Sequence, residues 1–255
     1  MELVDSHCHF DVDEFDADRE AALHRARERG VVAQVLPAVI HDTWPKLRAV
    51  CQRFEDLHAT YGLHPVFLAE HRPEHLEALA HWLDREPAVA VGECGLDFFV
   101  PGLDHDTQVR YFTEQLRLAR QRDLPVIVHA RRAVDQVIKY IRRFEGVRGV
   151  VHSFAGSEQQ AHRLLDLGFL ISLGGPLTYQ RARRLHRVVK AIPLTGLMLE
   201  TDAPDQPGCR HRGERNEPAY LPEVLETVAR LRGEEPAHIA AVTTANARRL
   251  FGLAA

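Results

Sequence analysis

With 255 residues, 45% of them hydrophobic, the chain has apolar material for one large core, and α/β barrels of this length run as a single domain. A formal net charge of −4 excludes the global basic field that holds nucleic acid non-specifically, so a nucleic-acid substrate would have to be gripped locally. Cys8, Cys51, Cys94 and Cys209 form neither a Cys-X-X-Cys motif nor a dense framework and read as free thiols of a reducing compartment. The opening Met1-Glu-Leu-Val-Asp-Ser-His7 has no basic region followed by an apolar one. No signal peptide is expected, and no apolar run approaches the ~20 residues that cross a bilayer. A cytoplasmic protein is expected.

In chain order, strand-like and helix-like stretches alternate from end to end. Leu3 and Val4 lead into Ser6-His7-Cys8-His9-Phe10, followed by a helical stretch over about Ala17 to Arg29 that Gly30 stops. Val31 to Val39 is a β-branched run, Trp44 to Phe54 is helical, and His58 to Gly62 is a short strand before Leu63-His64-Pro65. Glu74 to Arg85 places Leu76, Leu79, Ala80 and Leu83 on one helical face, Ala88 to Gly95 is a strand, and Asp106 to Arg122 aligns Val109, Phe112, Leu116 and Ala119. The second half repeats the scheme, with strands at Pro125 to His129, Gly149 to His152, Phe169 to Leu173 and Gly196 to Asp202. The helices between them are Val134 to Phe144, Ser157 to Leu167 with Ser157 as N-cap, and Arg181 to Ile192. Two more follow, Tyr220 to Leu231 and Pro236 to Leu250. Eight such strands in about 250 residues predict a (β/α)8 TIM barrel, one domain over 1–255 with an extra C-terminal helix. A doubly wound sheet would need a helix-opening Gly-X-Gly-X-X-Gly loop, and the chain has none.

In a barrel, the C-terminal strand ends surround one mouth. His7 and His9 end the first strand and, two residues apart, share a face, while Cys8 points away. His64 ends the third, Glu93 the fourth, His129 the fifth, His152 the sixth and Asp202 the eighth. The chain has 16 histidines, so some reach strand ends by chance, but five histidines and two carboxylates at one end argue for convergence. Four imidazoles with two carboxylates can hold two divalent ions about 3.5–4 Å apart, and Glu93, midway round the mouth, is the natural bridge. Water held between two cations is acidic enough to give hydroxide near neutral pH, and Asp202 could ligate one ion while taking or directing the nucleophile's proton. Glu93 and Asp202 are therefore the expected catalytic residues. The nitrogen-rich set suits zinc, manganese or iron better than magnesium.

Ser-His-Cys-His-Phe, Gly-Leu-His-Pro, Val-Gly-Glu-Cys-Gly-Leu-Asp, Pro-Val-Ile-Val-His-Ala-Arg, Val-His-Ser-Phe-Ala-Gly-Ser and Leu-Glu-Thr-Asp-Ala-Pro-Asp stand in this order. Together they resemble the motifs of the TatD-type metal-dependent hydrolases of the amidohydrolase superfamily, most of all the YjjV-like bacterial branch. The resemblance runs from His7 to Asn246-Ala-Arg-Arg-Leu-Phe251. It implies a dinuclear, metal-dependent deoxyribonuclease with zinc, manganese or magnesium. In several members the activity is exonucleolytic from the 3′ end, so the expected partner is single-stranded DNA or a 3′ end. By the same resemblance His7, His9, Glu93 and Asp202 hold one metal, and Glu93, His129 and His152 the second. The alternative is hydrolysis of a small-molecule ester, lactone or amide at the same centre; a non-enzymatic metal-binding module is the third reading.

Substrate contacts are less constrained. His64 could touch a scissile phosphate, steady a metal-bound water or be hydrogen-bonded in the barrel wall; Arg131 could clamp a phosphate oxygen, with Arg132 then facing outward, and a purely structural ion pair is the alternative for either. Asn216, in the polar loop Ala203 to Pro218, could cap the next helix or meet substrate. Arg181, Arg183, Arg184, Arg187 and Lys190 give one helix a basic face, which reads first as solvated surface. Phe10, Phe98, Phe99 and Phe154 adjoin the motifs and could stack on an unpaired base or lie in the core. A monomer is expected.

Overall fold

A computed structural model describes residues 1–254; Ala255, the last residue of the expected domain, lies outside them. The alternation is realised as β1 (Leu3–Asp5), α1 (Arg19–Glu28), β2 (Val31–Pro37), α2 (Trp44–Arg53), β3 (Leu57–Tyr61), α3 (Glu74–Leu83), β4 (Ala90–Asp97) and α4 (His105–Gln121). It continues as β5 (Val126–Arg131), α5 (Val134–Ile141), β6 (Gly149–Val151), α6 (Glu158–Asp166), β7 (Phe169–Leu173), α7 (Arg183–Ala191), β8 (Leu197–Leu199), α8 (Leu221–Arg232) and the extra helix α9 (Pro236–Phe251). The strands are parallel and lie in sequence order, β1 to β8, as a nearly closed (β/α)8 barrel.

β1 and β8 meet at the seam through Ser6 N–H and Oγ–H, which donate to the Leu199 carbonyl at 3.0 and 2.9 Å. Above it, Asp202 N–H donates to the His7 carbonyl and His9 N–H to that of Ala203. These bonds explain why the strand ladders stop earlier than the apolar runs suggest. Past Asp5 and Leu199 the backbone groups serve the loops of the mouth, so His7, His9 and Asp202 sit just beyond the paired strands. As expected, Ser157 caps α6, in a full capping box with Gln160; Gly233 and Gly252 end α8 and α9 in the left-handed conformation.

Two apolar layers hold the barrel. The outer one lies between strands and helices, and it takes in Cys8, Phe10, Cys94 and Phe154, all buried. The inner one fills the barrel with Val4, Ala33, Val35, Ala90, Ile127, Val150 and Met198, to which α9 adds Ala247, Leu250 and Phe251. α9 is tied there by the Thr244 hydroxyl donating to the Glu2 carbonyl, just before β1, and by Asn246 Nδ2 donating to those of Leu194 and Leu197, just before and at the start of β8. The extra helix thus seals the N-terminal end and leaves the other end for chemistry. No helix among the described residues is long and apolar enough to cross a membrane.

Candidate metal centre

The open mouth gathers His7, His9, Glu93, His129, His152 and Asp202 around one buried carboxylate. Glu93 divides them between its two oxygens. Oε2 stands 3.2 Å from His7 Nε2 and 3.5 Å from His9 Nε2, and those nitrogens lie 3.4 and 3.6 Å from Asp202 Oδ1. Oε1 stands 2.8 Å from His152 Nε2 and 3.1 Å from His129 Nδ1, which are 3.3 Å apart. Local backbone fixes this carboxylate: a side chain on Gly62 would strike the backbone of Gly92 and Glu93, and Gly92, at φ +149°, leaves no room for one against Ile127.

These spacings fit a metal. Tetrahedral ligation at about 2.0–2.1 Å puts neighbouring donor atoms about 3.3 Å apart, which is the spacing within each half of the cluster. Glu93 Oε2 is buried without a hydrogen-bond partner, as are His7 Nδ1 and His152 Nδ1. His9 Nδ1–H donates to the Pro37 carbonyl at 3.1 Å, and His129 Nε2–H to Asp97 Oδ2 at 2.9 Å. Each bond sets the tautomer that turns the other ring nitrogen, as a lone pair, toward the cluster.

His64 is the exception. It also reaches Glu93, with Nε2 2.9 Å from Oε1, and could be counted a seventh donor. Its Nδ1, however, accepts the Val66 N–H, so in the neutral ring Nε2 carries the hydrogen and points an N–H at Glu93. Burial keeps the ring neutral, with a pKa lowered to about 4. His64 is a hydrogen-bond donor in this arrangement.

The electrostatics agree with the distances. Burial alone would push the Glu93 carboxyl up, yet His152, His64 and His7 hold it well below the usual carboxylate range. Burial would likewise lower His152, but Glu93, Glu200 and Asp202 raise it to about 10. The carboxylates therefore call for positive charge at this spot, as a proton on His152 or as a cation. Behind it, burial raises Glu200 to about 8 and Asp5 to about 7.

The centre opens into a cavity of about 1310 Å³ lined by His9, His64, Glu93, His129, His152 and Asp202. The C-terminal ends of β4 and β5 and the segments after them bring Phe99, Arg131, Arg132 and Asp135 to its lining, α7 brings Arg184, and the segments after β1 and β8 bring Glu14 and Asp205. Strain gathers here: of five non-glycine residues with positive φ among those described, Arg132, Ser153, Asp202 and Gln206 line this cavity and only Asp123 does not.

The family model "TatD related DNase" matches residues 4–252. The chain belongs to the TatD family. It is 41% identical over 254 residues to the "uncharacterized metal-dependent hydrolase YjjV" of Escherichia coli, covering 98% of each chain. A crystal structure of E. coli YjjV superposes with a TM-score of 0.95 at 39% identity, over 99% of this chain and 98% of that one. It is also 35% identical to the "3'-5' ssDNA/RNA exonuclease TatD" of Cronobacter sakazakii, over 93% of each.

In this TatD-family chain several sequence expectations change. Arg132 does not face outward: its left-handed backbone, φ +54°, turns it onto the same side as Arg131, and both guanidinia lie over the Phe99 ring. Asn216 neither caps α8 nor faces the mouth. Its Nδ2 donates to the carbonyls of Thr201 and Asp205, both at 2.8 Å, and pins the loop after β8. Phe10 and Phe154 are core. Three supporting carboxylates went unread. Asp97 holds His129; Glu200 accepts from Ser153 N–H and the Ser172 hydroxyl behind His152; Asp5 accepts from Thr201 N–H and Oγ–H under the His7 turn. Each lies within or beside a quoted motif, and that adjacency was the only signal for them.

Proposed function

We propose that this TatD-family metal-dependent hydrolase is a deoxyribonuclease that removes nucleotides from an end of a single strand, the 3′ end first among candidates. The reading is carried by Glu93, whose two oxygens face two separate donor sets. Such a carboxylate suits a bridge between two ions, one held by His7, His9, Glu93 and Asp202, the other by Glu93, His129 and His152. When bound, divalent cations in such a site supply Lewis acidity to the phosphate and make water a stronger acid; the donor set suits zinc or manganese, with magnesium a weaker match. Asp202, at the mouth with Oδ2 accepting from Gln206, takes the proton of the attacking water. His64 presents its N–H to Glu93 Oε1 and so helps to hold that carboxylate in place.

A polymer end is favoured over a small ester or amide because the cavity exceeds the ~300–1,000 Å³ of small-molecule sites and has Arg131, Arg132 and Arg184 in its lining. The name of the C. sakazakii relative points the same way. The test is degradation of 3′- and 5′-labelled oligodeoxynucleotides with manganese, zinc or magnesium, beside a panel of esters, lactones and amides. Stepwise loss from one end is expected, and Glu93→Gln and Asp202→Asn should each abolish it while circular dichroism stays unchanged. Turnover of the small molecules alone, or full activity in either variant, would defeat the reading.

A further inference from the structure

Phe67 and Phe99 are, with Met1, the large apolar side chains most exposed among the described residues, and both line the mouth. Phe99 is 43% exposed, yet its position is fixed from the metal centre. Asp97 Oδ1 accepts the N–H of Phe99 at 2.8 Å and of Val100 at 3.0 Å, while Oδ2 of the same carboxylate holds His129. The Phe98 N–H donates to the Arg131 carbonyl at 2.9 Å, locking this loop to β5. Two guanidinia then crowd one ring, Arg131 at 3.7 Å from its centroid and Arg132 at 4.6 Å. Neither has a carboxylate partner among the described residues. A lone arginine on an exposed ring gains only about 0.5–1 kcal/mol. Two like charges on the same exposed ring, one of them on strained backbone, make a place that an anion would stabilise.

We infer that Phe99, Arg131 and Arg132 form the station for the unpaired nucleotide next to the scissile phosphate. The base lies on the aromatic–guanidinium surface and the adjoining phosphate on the two arginines. The station rests on the nucleic-acid reading above and deepens it: it makes an unstacked base, and not merely a terminus, the thing recognised, because a base inside a duplex is stacked on both faces and has none free to offer. Arg184 lines the same cavity, and its hydrogen bond is to the Ala155 carbonyl.

The test is a chemical double-mutant cycle on the manganese-loaded enzyme. Wild type, Phe99→Ala, Phe99→Trp and Arg132→Ala are assayed on oligo-dT and on the same strand carrying abasic residues at the end attacked, with thermal melts as the folding check. Phe99→Ala should raise KM on oligo-dT about 5- to 150-fold, the worth of one base–aromatic stack, with kcat retained. Removing the bases should cost wild type a similar factor and cost Phe99→Ala almost nothing more. Phe99→Trp should restore binding, and Arg132→Ala should weaken both strands alike. If the losses from Phe99→Ala and from the abasic end multiply, or if Phe99→Ala changes nothing while wild type degrades DNA, the station is wrong and the nuclease reading stands. A wild-type enzyme that leaves all DNA intact overturns both.

Discussion

Asp97 shows how one side chain can serve two purposes, since its oxygens divide between His129 and the Phe99 loop. Although burial opposes it, the His129 bond and the two backbone N–H groups hold its carboxyl at about 2, so it is a dependable acceptor at any working pH. Asparagine is nearly isosteric but can turn an amide N–H toward His129 Nε2, which undoes the tautomer that aims Nδ1 inward. Asp97→Asn should therefore weaken metal binding about 10- to 100-fold, read by chelator competition, with little change in melting of the apo protein. Unaltered affinity would mean that His129 orientation does not depend on Asp97. At this scale the sequence revealed types and order but not direction. The His7, His9, Glu93, His129, His152 and Asp202 positions were legible because each ends an apolar run. That His64 offers a hydrogen and His129 a lone pair is decided by Val66 N–H and by Asp97, contacts that no spacing encodes.

Among the elements, the loop after β8 is held from outside by α1. Arg215 donates to both Asp18 oxygens at 2.7 and 2.8 Å, and Arg25 on α1 to both oxygens of Glu217 at 2.9 and 2.6 Å. Arg215, followed by Arg25, holds the Asp18 carboxyl down at about 2, with burial opposing. Because folding lowers this pKa, the pair stabilises above the ordinary aspartate value near 3.9 and loses its contribution as pH falls toward about 2. Asp18 and Arg215 are partly exposed, so salt screening keeps each pair to roughly 0.2–1 kcal/mol. Arg215→Ala should lower the urea midpoint at pH 7, and the gap from wild type should narrow at pH 3. An equal gap at both would place the effect in stacking of the Arg215 guanidinium on Phe15. The sequence marked this segment as a long polar loop. Its short helical turns at Cys209–His211 and Pro218–Tyr220 were not legible, because the first is tied to Thr178 and Glu223 and the second packs on α1, nearly two hundred residues away. Strands and helices were legible almost throughout, since their apolar faces repeat within a few residues, and errors fell at ends such as α1, which starts at Arg19.

For the whole molecule, the barrel assigns its two ends different work. α9 closes one with Leu250 and Phe251, while the other bears the charges that meet substrate. A net charge of −4 leaves no long-range field to hold a duplex, so attraction must come from the cavity arginines Arg131, Arg132 and Arg184. Single-strand binding releases about 0.7 counterion per neutralised phosphate. Three guanidinia thus predict that the logarithm of affinity for oligo-dT falls against the logarithm of salt with a slope of about −2. Fluorescence anisotropy between 50 and 200 mM NaCl would measure it, on wild type with calcium in place of a catalytic metal. Arg132→Ala should make the slope shallower by somewhat less than one. A slope beyond about −5 would require a footprint that also recruits the basic face of α7, where Arg181, Arg183, Arg187 and Lys190 are all exposed. The strand would then run across the outside of the barrel and not simply end in its mouth.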